Sequence, residues 1–303
     1  MGMREEGRPK LLAGGPVAEG LLARAREGAV RLSASGLSLT LAVVRVGKDQ
    51  AGVAYLRGLK RAAGRAGVRL VELPLPLEVR EGELVKVLRE LSRDEEVHGV
   101  VLLQPLSPHL DPAQALDVLP PEKDVEGIHP RNLGRLLAGG AAAADLPRLL
   151  REGPLPATPR AVMELLAFYE VELAGREVVV VGGGRVGLPL FVLLLREALS
   201  TVTVCDRNTR DLAEVSRRAD VLCVAVGQPG LVRGHMVKPG AVVVDIGVHR
   251  LGNGLVGDVN FEEAAGVARA ITPVPGGVGP VTAAVVVEQT VRAAARLVKE
   301  GSG

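Results

Sequence analysis

Glycines at positions 182, 184 and 187, in Gly182-Gly183-Gly184-Arg185-Val186-Gly187, directly follow a four-valine run at 178–181. That spacing suits a pyrophosphate. Gly182 permits a tight turn, Gly184 lets the backbone approach the phosphates, and Gly187 lets the following helix pack close to the strand. The helix, read over 188–199, presents its N-terminal N–H groups and partial positive charge to the anion. Pro189 fits its first turn, where a missing N–H costs nothing. A second strand at 201–205 ends in Asp206, 22 residues after Gly184, where a carboxylate accepts from ribose hydroxyls. A lone glycine turn serves packing as readily as binding. Here strand, turn, helix, second strand and terminal acid occur together, which points to hydride transfer with a nicotinamide cofactor. Asp206 repels a 2′-phosphate and so argues for NAD; Arg207 beside it is able to bind one, so NADP stays open.

Strand-like and helix-like segments alternate along the chain, the pattern of an α/β protein with a largely parallel sheet. In the first half, 39–46, 69–75 and 97–103 read as strands, and 51–66 and 81–91 as helices. The third strand runs into Gln104-Pro105-Leu106-Ser107-Pro108. Between 138 and 159 the composition shifts: Gly139-Gly140, four alanines and several prolines mark a linker. A connecting helix is expected at 160–169, then a second α/β unit from 178 to about 260, closed by the glycines and prolines of 273–280. A last helix, 282–299, lies beyond it. The expected domains are 1–155, with 282–303 packing back on it, and 156–281.

The 303 residues are enough for about two domains. Aromatic residues make up 2% of the chain and Trp is missing, so a base-stacking surface for nucleic acid is not expected. A formal net charge of +2 points to no polyanionic partner. Cys205 and Cys223 sit in apolar strand-like runs and read as small core residues. His98, His109, His129, His235 and His249 are scattered without metal-ligand spacing, so no metal is expected. Residues 1–10 are charged and lack the apolar core of a signal peptide. No apolar run approaches the roughly 18 residues needed to span a membrane, and a cytoplasmic protein is expected.

Four downstream segments add specificity. They are 219–230 (Ala-Asp-Val-Leu-Cys-Val-Ala-Val-Gly-Gln-Pro-Gly), 237–248 (Val-Lys-Pro-Gly-Ala-Val-Val-Val-Asp-Ile-Gly-Val), Val256-Gly257-Asp258-Val259, and 271–282, which contains Pro275-Gly276-Gly277-Val278-Gly279-Pro280. Together they closely resemble the bifunctional methylenetetrahydrofolate dehydrogenase/cyclohydrolase family. Lys123-Asp124-Val125-Glu126-Gly127, the run from His129 to Arg135 and Pro156-Ala157-Thr158-Pro159-Arg160 resemble it too. The resemblance spans about 39 to 295 and is stronger in the second half. It implies an N-terminal folate-binding α/β domain and a C-terminal Rossmann-type NAD(P)-binding domain with a parallel sheet, usually in a homodimer, with folate held between the domains. The implied activity is oxidation of 5,10-methylenetetrahydrofolate in one-carbon metabolism; many members also hydrolyse the methenyl product to 10-formyltetrahydrofolate. It places substrate contacts at Tyr55, Asp124, Glu126, Pro273, Gly276 and Gly277. Cofactor contacts would involve Gly182, Gly183, Gly184, Arg185, Val186, Gly187, Asp206, Arg207, Val226, Gly227, Gly247, Val248 and Thr282.

The chain departs from the family's hydrolytic pattern. That pattern is a Tyr-x-x-x-Lys helix, a Gln after the third strand and a second Asp in Lys-Asp-Val-Asp-Gly. Tyr55 matches the Tyr, but Leu59 stands at the Lys position and Lys60 lies about 100° further round a helix. Leu103 stands at the Gln position, with Gln104 one residue on, and Glu126 replaces the Asp. The glycine turn is one residue shorter than the family's Gly-x-Ser-x-x-Val-Gly. The catalytic candidates are therefore Tyr55, Lys60, Gln104 and Glu126. Hydride transfer asks the protein mainly for positioning and a dry pocket, whereas hydrolysis needs a proton shuttle such as a lysine. Dehydrogenation is expected to persist and hydrolysis to be weak or absent, unless local bulges bring Lys60 and Gln104 into place. Two other readings stay open: a related dehydrogenase of another small substrate, and a non-catalytic relative that binds nucleotide or folate. For single residues, Tyr55 either stacks on a folate ring or packs in the core. Glu126 either pairs with the pterin or is a solvated acid. Asp124 and Asp258 are loop caps or ligand contacts, and Thr282 reads as the N-cap of the last helix.

Overall fold

The structure, a computed structural model, describes residues 9–47, 50–138, 146–197, 200–252 and 254–300. Residues 1–8 of the charged start, 139–145 of the expected 138–159 linker and the end of the expected 188–199 helix lie outside those residues; the rest of the linker span is described and, instead of an irregular connection, includes a helix over Leu146–Glu152 and the start of another at Ala157. In chain order the elements begin β1 (Lys10–Leu11), α1 (Gly14–Ala34), β2 (Thr40–Val46), α2 (Gln50–Ala66), β3 (Arg69–Leu75), α3 (Glu81–Arg93) and β4 (Gly99–Leu102). Then come α4 (Pro112–Asp117), α5 (Pro130–Ala138), α6 (Leu146–Glu152), α7 (Ala157–Phe168), β5 (Glu177–Val181), α8 (Gly187–Glu197), β6 (Thr201–Cys205), α9 (Leu212–Ser216) and β7 (Val221–Val224). The chain continues through β8 (Val242–Asp245), β9 (His249–Leu251), β10 (Gly254–Val256), α10 (Phe261–Ala265), β11 (Ala270–Ile271) and α11 (Val278–Glu300). It divides into two compact units; the described residues of one are 9–17 and 158–281, and of the other 18–138, 146–157 and 282–300.

The first unit is built on a parallel sheet in the order β1-β11-β8-β7-β5-β6. Its central strands β5, β7 and β8 are valine-rich and almost wholly buried, as strands covered on both faces must be. Val179, Val181, Leu222, Val224, Val243 and Ile271 lie in one apolar core. Residues 9–17, expected in the other domain, belong here: the Lys10 amide donates to Arg269 O and that of Leu12 to Ile271 O, both at 2.9 Å. A two-residue strand carries no periodicity to read.

The second unit holds a parallel sheet β3-β2-β4. Leu84, Leu88 and Leu91 of α3 recur one turn apart and join Ala42, Val44 and Leu102 in its core. Helix α1 was not anticipated. Its buried positions, Val17, Ala18, Leu21, Leu22, Ala25 and Ala29, include three small alanines that weaken the apolar stripe. Gly28 has a reason to be small: a Cβ there would lie 2.7 Å from a Val291 methyl on α11. Helix α11 starts at Val278, four residues before the expected start, because Pro280 falls in the first turn, where its missing N–H has no partner to lose.

The run from Lys123 to Gly127 is fixed residue by residue. The Lys123 ammonium donates to the carbonyls of Leu91, Ser92 and Asp94, closing the C-terminal end of α3. The Asp124 carboxylate accepts from the His129 amide at 2.7 Å and from Asn132 Nδ2 at 2.9 Å, tying the run to the start of α5. Val125 is wholly buried. Gly127 has a φ of 69°, and a Cβ on it would fall 2.2 Å from the Leu155 carbonyl carbon. Buried Gln289 of α11 completes the clamp: Nε2 donates to Val125 O and Leu155 O, and Oε1 accepts from the Leu155 amide, all within 2.9 Å. Replacing Gln289 with Leu strands three buried backbone groups. The expected cost is about 2 kcal/mol or more, seen as a melting temperature roughly 4–8 °C lower. An unchanged melting curve would show that Gln289 does not fix this run.

Candidate functional site

Tyr55 lies on α2, whose buried residues Leu56, Leu59, Ala62, Ala63 and Ala66 mark the inward face. The Tyr55 hydroxyl donates to Glu126 Oε1 across 3.4 Å. Burial first, then the charge and hydrogen bond of Glu126, raise this hydroxyl well above its ordinary pKa, so it stays protonated at neutral pH. Glu126 is presented by the clamped Lys123–Gly127 run, and its carbonyl also accepts from the Ala157 amide at 2.9 Å. The sequence reading thus brought together two side chains that the fold places in contact, 71 residues apart.

Of the other hydrolytic candidates, Lys60 points away from Tyr55. Leu59, one turn from Tyr55, is 0% exposed. Lys60 is on the solvent side, its side chain about half exposed and its ammonium 2.7 Å from Glu72 Oε2. Glu72 also takes Arg45 at 2.9 Å, and the Lys60 and Arg45 hydrogen bonds hold its carboxyl below the usual range. Helix α2 runs unbroken from Gln50 to Ala66, so Lys60 stays about 140° round the helix from Tyr55. The Leu103 side chain is buried, and its amide continues the sheet by donating to Val44 O at 2.9 Å. Gln104 follows it, half-buried, at a cis Gln104-Pro105 bond. Asp124 is 2% exposed and committed to the cap described above, with burial raising its pKa.

In the first unit the glycine turn sorts its own residues by physical role. Gly182 has a φ of 124°, and a Cβ there would stand 2.2 Å from Ala225 O at the end of the neighbouring strand. A Cβ on Gly187 would stand 1.6 Å from Gly182 O. Both are required by packing. Nothing lies within 4 Å of a Cβ built on Gly184. Packing gives no reason for glycine there, and the open space leaves room for a ligand to approach the backbone. Helix α8 begins at Gly187, so its N-terminus faces this turn. A Cβ on Gly183 would come 3.7 Å from the Asp206 Cβ, which sets the acid beside the turn. Asp206 is exposed; its Oδ1 accepts from the Asn208 amide at 2.8 Å and its own amide donates to Thr209 Oγ1 at 2.9 Å. Arg185 and Arg207 are exposed around it. These residues fit a dinucleotide.

The loops at the same end of the sheet hang on two buried aspartates. Asp258 Oδ2 accepts from the amides of Val226 (2.7 Å) and Gly227 (3.1 Å), and Oδ1 lies 2.7 Å from His249 Nε2. Asp245, ending β8, accepts from the amides of Gly247, Asp258 and Val259. Thr272 Oγ1 accepts in turn from the Asp245 amide. Sequence reasoning left Asp258 undecided, gave Asp245 no role of its own, and took His249 only as one of five histidines without metal-ligand spacing. A strand of valines closing on Asp was the visible signal. The Pro273–Gly277 turn has its own geometry: Gly276 has a φ of 106° and its carbonyl accepts from the Gly14 amide at 2.7 Å. Val248 is exposed. Thr282 is not an N-cap, because α11 begins four residues before it; it is an interior, buried position of that helix.

Comparison with known proteins agrees with both halves of this geometry. Residues 12–126 match the tetrahydrofolate dehydrogenase/cyclohydrolase catalytic domain, and 156–298 match the NAD(P)-binding domain of the same name. The chain is 45% identical over 272 residues to the bifunctional protein FolD of Bordetella avium, covering 89% of this chain and 92% of that protein. Among solved structures it is similar to the Trypanosoma brucei N5,N10-methylenetetrahydrofolate dehydrogenase-cyclohydrolase complexed with NADP and inhibitor. The TM-score is 0.87 at 36% identity, covering 96% of this chain and 99% of that one. The Campylobacter jejuni bifunctional enzyme FolD gives a TM-score of 0.86, also at 36% identity, over 95% of this chain and 99% of that one. Among the described residues no helix is long and apolar enough to cross a membrane.

Burial, more than the nearby Asp258 charge, pushes the Asp245 carboxyl up to about 6 from an ordinary 3.8. Below pH 4 folded and unfolded chains both hold this proton. As the pH rises toward 6 the unfolded chain releases it first, so folding loses stability; above 6 the loss is complete. The Asp245→Asn variant should therefore gain about 2 kcal/mol relative to the parent between pH 4.5 and pH 7, read by urea unfolding at both. A difference that does not change with pH contradicts the assignment.

Proposed function

The chain belongs to the tetrahydrofolate dehydrogenase/cyclohydrolase family, and on that premise we propose that it is a methylenetetrahydrofolate dehydrogenase with little or no cyclohydrolase activity. The reaction moves a hydride from the methylene carbon of 5,10-methylenetetrahydrofolate to the cofactor and leaves the 5,10-methenyl cation, stabilised by the folate nitrogens. Bound NAD or NADP supplies the hydride acceptor. The glycine turn before α8 and Asp206 hold the dinucleotide. Tyr55 and Glu126 bind and orient the folate. Neither needs to move a proton for this step, and the protonated Tyr55 hydroxyl suits a positioning role.

Hydrolysis of the methenyl cation is different: water adds to carbon and must lose a proton to a base, which then returns one. The observation that carries the reading is Leu59, fully buried on the Tyr55 face, where an amine would be needed. Lys60, turned outward to Glu72, does not supply it. A cytoplasmic homodimer belongs to the same reading, supported by the family resemblance and by β3, the terminal strand of its sheet.

Cofactor preference is proposed as NAD, because the Asp206 carboxylate stands beside the glycine turn. Purified protein should reduce NAD in the presence of methylenetetrahydrofolate; cofactor binding with no turnover would contradict dehydrogenase activity. Asp206→Ser should shift the NADP/NAD ratio of kcat/KM toward NADP by about tenfold, equivalent to about 1.4 kcal/mol. An unchanged ratio removes Asp206 from cofactor choice. Adding Leu59→Lys and Leu103→Gln together should raise methenyltetrahydrofolate hydrolysis by about tenfold or more, within the usual range for a restored acid–base group. A folded double variant with no gain would show that these two positions do not limit hydrolysis.

A further inference from the structure

We infer that His249 and Asp258 work as a pair of positioning residues for the dinucleotide site, holding the Val226–Gly227 turn in its receiving shape. The inference rests on the proposed use of NAD or NADP and adds to it residues outside the glycine turn. Asp258 is 0% exposed, and its two oxygens face different parts of the unit. Oδ2 takes the Val226 and Gly227 amides, at the C-terminal end of β7, where open parallel sheets bind their ligands. Oδ1 meets His249 Nε2 at the start of the β9–β10 hairpin.

The surroundings leave this carboxylate no room to wander. A Cβ on Gly247 would lie 2.3 Å from the Asp258 Cγ, and one on Gly257 would lie 1.8 Å from Asp245 Oδ2. Asp245 holds the backbone amides of Gly247, Asp258 and Val259, so it sets the chain that carries Asp258. Three residues expected to touch cofactor, Val226, Gly227 and Gly247, thus have their amides turned inward onto carboxylates. Their conformation is set from behind.

A carboxylate oxygen offers only lone pairs, so the ring nitrogen that faces Asp258 Oδ1 at 2.7 Å is the donor. The His249 side chain keeps 21% exposure, so a smaller or amide side chain there leaves no sealed cavity. Without the His249 ring, Oδ1 loses its hydrogen bond, one of the three that set the plane of the carboxylate, and the geometry that Oδ2 offers to the Val226 and Gly227 amides is less closely fixed. The consequence should fall on cofactor binding and leave folate binding alone.

The test uses the whole 303-residue chain with His249→Ala and His249→Gln. Because the chain has no Trp, binding of NADH or NADPH, whichever the parent holds more tightly, can be followed by nicotinamide fluorescence without tryptophan overlap. Steady-state kinetics and melting temperature are measured alongside. His249→Ala should raise the dinucleotide Kd and KM about tenfold, with the folate KM within twofold and the melting temperature within about 3 °C of the parent. His249→Gln, whose amide can still donate to Asp258, should recover most of the affinity. Asp258→Asn should weaken dinucleotide binding at least as much as His249→Ala. Dinucleotide affinity within twofold of the parent in His249→Ala overturns the inference. So does a parallel rise in both KM values with a lower melting temperature, which would mark a purely structural role. A parent that binds neither NADH nor NADPH removes the functional reading and the inference together, whereas a parent that binds tightly beside an unaffected His249→Ala removes the inference alone.

Discussion

A regular helix turns about 100° per residue, and this constraint decides which side chains of α2 can stand beside Tyr55. Tyr55 and Leu59 share a face of α2; Lys60 cannot join them while the helix stays unbroken. One face is therefore apolar apart from a single hydroxyl, and the other carries the cations. A buried ammonium at 59 would need a partner to offset its lost hydration. Leucine has no such need, and Tyr55 instead reaches Glu126, whose place is set by the clamp around Val125, Leu155 and Gln289. On the proposed reading, positioning survives in such a site and proton shuttling does not. That distinction separates hydride transfer, in which the substrate's own nitrogens carry the developing charge, from hydrolysis, which needs an acid–base group.

The dinucleotide unit follows a different rule: close approach. Its parallel strands end side by side, and the loops leaving them must pass within van der Waals contact of one another. Glycine is required where those approaches are tightest, at 182 and 187 against backbone and at 247 and 257 against carboxylates. Asp245 and Asp258 are costly to bury, and each is compensated by backbone amides that would otherwise lack partners. Loops and acids thus stabilise one another, and the arrangement stands at the carboxyl ends of β7 and β8.

The parallel strands, the glycine turn and the helix after it were legible in sequence because each depends on local pattern: valine runs, a fixed glycine spacing, a terminal acid. Strands β3 and β6 and most of α2 match their sequence-derived limits within a residue. What stayed hidden was non-local or weakly patterned. Helix α1 buries too many alanines to show a stripe, and β1 is two residues long. Thr282 read as a cap because Gly279 and Pro280 read as breakers, yet both fit a first turn. In the site, motif resemblance placed Tyr55 and Glu126 but could not tell that Asp124 caps a helix. The Asp258–His249 pair spans a hairpin whose pairing no local rule announces. A conflict at Leu59 and Leu103 was visible from the start; only the course of α2 and the outward ion pair of Lys60 gave it a physical meaning.

The account turns on the separation of the two reactions. The most direct measurement is to supply the purified enzyme with 5,10-methylenetetrahydrofolate and NAD and follow both reduced cofactor and folate products through one time course. Reduced cofactor should form with matching accumulation of 5,10-methenyltetrahydrofolate, which then decays no faster than in buffer alone. Conversion of the methenyl product to 10-formyltetrahydrofolate as fast as it is made would contradict the account.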